Sequence, residues 1–248
     1  MANGQARLAF SLHSIAALLR DIAEFVRDPA LSPARLAWGR AFLLAFLVLC
    51  MLDFGLSFGS DFALWSAEAA GYEPPLLPDW QMSPVEEWIL VVGLAPVFEE
   101  VIFRGWLSGH RATLECGARI ALVVGVLIAA VILYENGTSL NAARLIQLGA
   151  FGYALYALLI WFRERNGKRQ IPAWFDRNYR WFVWGSAIAF GTAHLTNYDG
   201  LSGPVDLILV LPQTLGGLVL AYTRTRLGLG AAIAQHALFN GLLVATGS

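Results

Sequence analysis

Seven stretches of the chain are apolar over a length that suits a membrane-crossing helix. They fall near residues 38–58, 84–108, 118–134, 142–162, 181–198, 204–223 and 229–246. A helix needs about 17–25 residues to cross the hydrocarbon core of a bilayer. The cleanest run is 120–134, IALVVGVLIAAVILY, free of charge and bracketed by Arg119 and Glu135. Inside lipid every backbone polar group must be satisfied within the segment, so such stretches are helices. Ahead of them, residues 12–27 repeat apolar positions at helical spacing with charges opposite. That pattern predicts a short amphipathic helix lying on a membrane surface. The whole pattern predicts an all-α fold: a polytopic membrane bundle of about seven transmembrane helices behind an N-terminal amphipathic helix. Residues 1–37 read as a cytoplasmic N-terminal segment, and 38–248 as a single transmembrane domain.

Composition agrees. Of 248 residues, 57% are hydrophobic and 14% charged, whereas a soluble domain is about half apolar and about a quarter charged. The net charge of −1 leaves no basic surplus to meet phosphates, which excludes nucleic acid as a partner. Cys50 and Cys116 alone make neither a disulfide framework nor a zinc knuckle. Residues 1–36 show no early apolar run of the kind a cleavable signal carries.

Basic residues set the expected orientation. The N-terminal segment carries five arginines up to Arg40 (Arg7, Arg20, Arg27, Arg35 and Arg40), and loop 59–83 has no Lys or Arg. Arg111, the cluster Arg163–Arg180, and Arg224 with Arg226 mark alternate connections, with Arg144 the one exception. The positive-inside rule then predicts a cytoplasmic N-terminus and an outer C-terminus.

Charges inside membrane segments are costly and usually functional. Three stretches carry polar groups that need explaining. In 95–106, APVFEEVIFRGW, Glu99 and Glu100 point about 100° apart on a helix. Glu100 and Arg104 are four apart in the favourable order for an ion pair, which leaves Glu99 without a partner in its own helix. Pro96 has no N–H, so the carbonyl of Val92 is expected to lose its donor. In 190–197, FGTAHLTN, His194 follows Phe190 by one turn. In 235–241, QHALFNG, His236 and Asn240 share a helical face. Counting about 1.5 Å per residue from the nearest inner basic residue puts Glu99 about 18 Å deep, His194 about 21 Å and His236 about 15 Å. Three helices would thus bring a Glu and two His to one level.

Such a set can polarise water. Glu99 would act as general base and His194 would share or orient the water. His236 and Asn240 could donate to the oxyanion formed when water adds to a carbonyl. Alternatively Glu99, His194 and His236 are zinc ligands, since Glu plus two His with an open position is a common zinc set. No H-E-x-x-H is present, so the zincin arrangement is excluded.

The order E-E-x-x-x-R (Glu99, Glu100, Arg104), F-x-x-x-H (Phe190, His194), H-x-x-x-N (His236, Asn240) resembles the CPBP family. These are the CAAX-protease and bacteriocin-processing (Abi) intramembrane proteases, among them the type II CAAX prenyl endopeptidases. The resemblance covers about residues 84–246. It implies a membrane-helix core with a cavity, water activated by Glu99 and His194, an oxyanion site of His236 and Asn240, and support from Glu100 and Arg104. It implies hydrolysis of a membrane-anchored protein or peptide in the bilayer by a glutamate mechanism needing no cofactor, with zinc the alternative. It does not give the substrate. The aromatic residues of 134–184 read as an interfacial belt rather than a prenyl pocket. Two other classes compete: a non-catalytic immunity or scaffold protein of the same fold, and a proton pathway.

Overall fold

The computed structural model describes residues 15–31, 35–75, 82–201 and 203–246. Every regular element in it is helical. In chain order these are α1 (Ile15–Arg27), α2 (Arg40–Ala69), α3 (Pro84–Glu87), α4 (Ala95–Glu99), α5 (Arg111–Glu135), α6 (Leu140–Glu164), α7 (Ala173–Arg177), α8 (Tyr179–Ala193), α9 (Leu211–Arg226) and α10 (Leu229–Thr246). Five helical runs are long and apolar enough to cross a membrane: Arg40–Ala69, Arg111–Glu135, Leu140–Glu164, Pro204–Arg226 and Leu229–Thr246.

The other two apolar stretches are helical but interrupted. Residues 84–108 start with a capping box in which Ser83 and Glu86 exchange side-chain and backbone bonds, with Pro84 at the first helical position. The run then widens into a π-helix at Trp88–Leu94, narrows at α4, widens again at Glu100–Arg104 and closes as a 3₁₀ turn at Gly105–Ser108. Residues 181–198 divide between α8 and a 3₁₀ turn, His194–Asn197. The 15 residues of α8 rise only about 22 Å, short of the about 30 Å hydrocarbon core.

The chain forms two compact units: Met1–Leu107 with Asn178–Ser248, and Ser108–Arg177. In the first, α9 is central. Every residue from Gly216 to Arg226 is buried, and the helix packs against α1, α2, α8 and α10. The apolar face of α1 (Leu18, Ile22, Phe25) is buried on α9 rather than left open to lipid. Phe25 meets Tyr222 edge-on at 5.3 Å, and Asp21 accepts from Tyr222 and Arg226. The helix predicted to be amphipathic thus docks Leu18, Ile22 and Phe25 on the bundle, while Ile15 and Leu19 stay exposed.

The second unit is built on an α-helical hairpin. Gly137 takes φ 94 in the turn, a left-handed conformation that suits glycine, and Ser139 caps α6. Cys116, Val123 and Ala130 on α5, and Ala143, Ala150 and Ala157 on α6, are buried at a spacing of seven residues. That is two helical turns, so each set forms one straight seam of small side chains along which backbones approach closely. Lys168 ties the hairpin's polar end to Glu115 and Glu164.

Candidate active site

The site lies within the first unit and starts with a backbone defect. In the π segment, Ala95 N–H bonds the Leu90 carbonyl, five residues back. In that register the next carbonyl, Val91, should meet the N–H of residue 96. Residue 96 is proline and has none. Asn240 supplies the missing donor, with Nδ2 2.8 Å from the Val91 oxygen. The expectation from an α-helical count was Val92. The π register moves the orphaned carbonyl by one residue. Such π insertions recur at functional sites because they re-aim the side chains that follow.

The side chains that follow are the glutamates. Glu100 and Arg104 are fully buried, and Arg104 Nη1 donates to Glu100 Oε1 at 2.6 Å. The expected ion pair is thus present. Glu100 Oε1 also accepts from His236 Nδ1 at 3.0 Å. An ionised carboxylate only accepts, so the His236 proton sits on Nδ1. Its Nε2 then faces Glu99 Oε2 at 3.6 Å, just beyond hydrogen-bond reach. Glu99 is partly exposed, and its Oε2 is a buried oxygen without a hydrogen bond.

Arg104 is held by more than Glu100. Its guanidinium carbon stands 3.8 Å over the Phe190 ring. A Cβ on Gly217 would come within 3.0 Å of Arg104 Nη2 and 3.3 Å of Phe190, so a side chain there would crowd the guanidinium against α9. The end of the broken helix is finished by α9 as well. Arg224 donates to the carbonyls of Arg104 at 3.1 Å and Gly105 at 3.0 Å. Ser186 donates to the Phe103 carbonyl at 2.6 Å.

His194 closes α8. Its Nδ1 stands 2.8 Å from the Phe190 carbonyl, which can only accept, so Nδ1 carries the proton and Nε2 is left basic. His194 bonds neither glutamate directly. It joins the others through Phe190, whose ring meets His194 at 4.7 Å and His236 at 5.7 Å, both edge-on. The structure therefore gathers Glu99, Glu100, Arg104 and His236 by direct contact, ties His194 to them through the Phe190 ring, and bonds Asn240, one turn beyond His236, to the Val91 carbonyl. His13 lies outside the described residues.

Among the described residues no three His, Cys, Asp or Glu side chains converge closely enough to hold an ion. His236 Nδ1 faces Glu100 and His194 Nδ1 its own helix, which leaves each Nε2 for any further partner.

Three residues with roles here escaped the sequence reading: Asp53, Gln235 and Arg224. Asp53 is buried, and accepts from Gln235 Nε2 at 2.9 Å. The available signal was a lone carboxylate within the apolar run 38–58. Asp206 does cap, accepting from Gly203 N–H at 2.8 Å, and also takes the Tyr72 hydroxyl at 2.6 Å.

Apolar helices that enclose a buried Glu–Arg–His cluster beside a helix defect define a membrane-embedded protein with an enzyme-like core. The family model for type II CAAX prenyl endopeptidases, Rce1-like, matches residues 81–168 and 167–242, and the chain belongs to that family. It is therefore an integral membrane protein of CAAX-type endopeptidase class, whose family acts on membrane-associated proteins. The match contains every residue of the three motifs and leaves α1 and α2 outside. Comparisons with curated proteins and with solved structures give no match.

Proposed function

We propose that the chain hydrolyses a peptide bond near the C-terminus of, or within, a membrane-associated protein, using water activated by Glu99. The observation that carries this reading is the Glu99 carboxylate. Its Oε2 accepts no hydrogen bond among the described residues, and it sits 3.6 Å from His236 Nε2. A general base needs a free lone pair where water can reach it, and Glu99 is partly exposed whereas Glu100 is sealed. Glu100 and Arg104 then act as supports, fixing the tautomer and direction of the His236 ring.

His194 presents a basic Nε2 and serves to orient the water. Asn240 spends one amide hydrogen on Val91 and keeps a second for the developing oxyanion. His236 is its partner at the oxyanion, through Nε2 when that atom carries a proton. No step of this reading is routed through a metal. The alternation of basic segments supports a cytoplasmic N-terminus and an outer C-terminus.

The test is cleavage of a panel of prenylated and unprenylated C-terminal peptides by detergent-purified protein, with elemental analysis and chelator alongside. Glu99→Gln is expected to lower kcat by about 100- to 10,000-fold, with the protein still folded and chelator without effect. Near-native kcat in Glu99→Gln defeats the reading. Stoichiometric zinc lost together with activity defeats its metal-free form.

A further inference from the structure

Asp53 sits inside α2, a helix of 30 residues that carries no other charge within two turns of it. It is buried, as are Gln235 and Thr223. Gln235 Nε2 donates to Asp53 Oδ2 at 2.9 Å, and Thr223 Oγ1 donates to Gln235 Oε1 at 2.7 Å. One polar chain thus links α2, α10 and α9. The other carboxylate oxygen lies against α9, where a Cβ on Gly216 would stand 2.8 Å from Asp53 Oδ1. A carboxylate at that depth is expensive and calls for a use. None of the chemistry above employs it.

Gln235 immediately precedes His236. Consecutive helix residues point about 100° apart, so the two side chains leave α10 toward different neighbours. Gln235 reaches Asp53 and Thr223, while His236 reaches Glu100 and Glu99. Apolar packing alone tolerates small rotations of a helix, because dispersion contacts carry little direction. A 2.9 Å bond to a buried carboxylate does not.

We propose that Asp53 is a positioning residue for the hydrolysis: through Gln235 it sets the rotation of α10 that presents His236 to Glu99 and Glu100. The inference rests on the reading of Glu99 and His236 as the reacting site. It assigns work to a helix outside the family match.

The test measures kcat and KM for a farnesylated CAAX peptide in phosphatidylcholine vesicles. Asp53→Leu removes the acceptor while keeping the branched shape, and Asp53→Asn keeps an oxygen for Gln235. Gly216→Ala keeps the carboxylate but displaces it. Asp53→Leu and Gly216→Ala are expected to lower kcat by about 10- to 100-fold with KM within about twofold, whereas Asp53→Asn stays within about threefold of native. A purely structural role would reduce the yield of folded protein and leave its kcat intact. Native kcat in Asp53→Leu, or an Asp53→Asn loss as deep as that of Asp53→Leu, overturns the inference. If Asp53→Leu does not fold, Gly216→Ala decides, and native kcat there overturns it. His236→Ala separates the two levels. Cleavage surviving His236→Ala sinks the site reading itself, while a dead His236→Ala beside a native Asp53→Leu sinks only the role of Asp53.

Discussion

Along the α5–α6 hairpin the buried positions are Ala112, Cys116, Val123, Ala130, Ala143, Ala150 and Ala157, none of them charged. In α9 and α10 the buried positions include Thr223, Arg224, Arg226, Gln235 and His236. Both regions are apolar enough to cross a membrane, yet they hold together by different physics. The hairpin seam works by closeness, since lipid gives helices no hydrophobic reason to associate and small residues let backbones touch. Its energy should vary smoothly with side-chain volume. The α9–α10 region works by pairing, and a buried charge that loses its partner has no water to turn to. Its energy should change in steps.

The largest step is expected at Glu100. Glu100→Leu leaves the Arg104 guanidinium without its 2.6 Å acceptor and His236 Nδ1 without its 3.0 Å one. Breaking a buried pair in this way costs about 3–5 kcal/mol. Glu100→Leu with Arg104→Leu removes both charges and should recover most of that loss, though not cleavage. Thermal unfolding in detergent checks both. A single variant no less stable than the double one would show that the pair is not what holds this end of the bundle.

The hairpin should answer more gently. Ala150 is nearly sealed in the seam, and Ala150→Leu inserts volume between two backbones. Overpacking of this kind costs about 1–3 kcal/mol. Leu148 lies on the same helix with 67% of its surface open, and Leu148→Ala should move stability by no more than about 0.5 kcal/mol. Equal effects from the two would mean that the spacing of seven does not mark the packed face.

Much of the site was legible because intramembrane charge is rare enough to be conspicuous. Glu99, Glu100, Arg104 and His236 stood out as polar residues in apolar runs, and the structure joins them. The helical count placed Glu100 and Arg104 on one face correctly. The same count failed at Pro96, since it assumed a register that the π segment does not keep. It also drew one helix through 84–108 where the backbone changes pitch four times. Asp53 and Gln235 were missed for a different reason. Hydropathy says that a residue is inside, but which neighbour it faces depends on how α2, α9 and α10 are rotated, and no pattern along one helix contains that. The docked face of α1 was hidden likewise, because an amphipathic stripe fits a lipid surface and a protein surface equally well.

A modest effect on stability is the most informative about chemistry. Asn240 holds the Val91 carbonyl that Pro96 leaves without a donor. Polar contacts between membrane helices average about 0.6 kcal/mol and reach about 1.7 kcal/mol, so Asn240→Ala should destabilise by about that much. In a Pro96→Ala background, residue 96 regains an N–H in the π register and can take the Val91 carbonyl itself. There Asn240→Ala should cost almost no stability, a coupling that a double-mutant cycle reads directly. Activity then divides the two roles of the amide. If Asn240 only completes the helix, Pro96→Ala restores cleavage to Asn240→Ala as well as stability. If its second hydrogen also meets the oxyanion, stability returns and kcat stays about 100-fold down or lower. The second outcome is the one expected, because an amide that needed only to cap Val91 would have no use for the His236 ring one turn away on the same face.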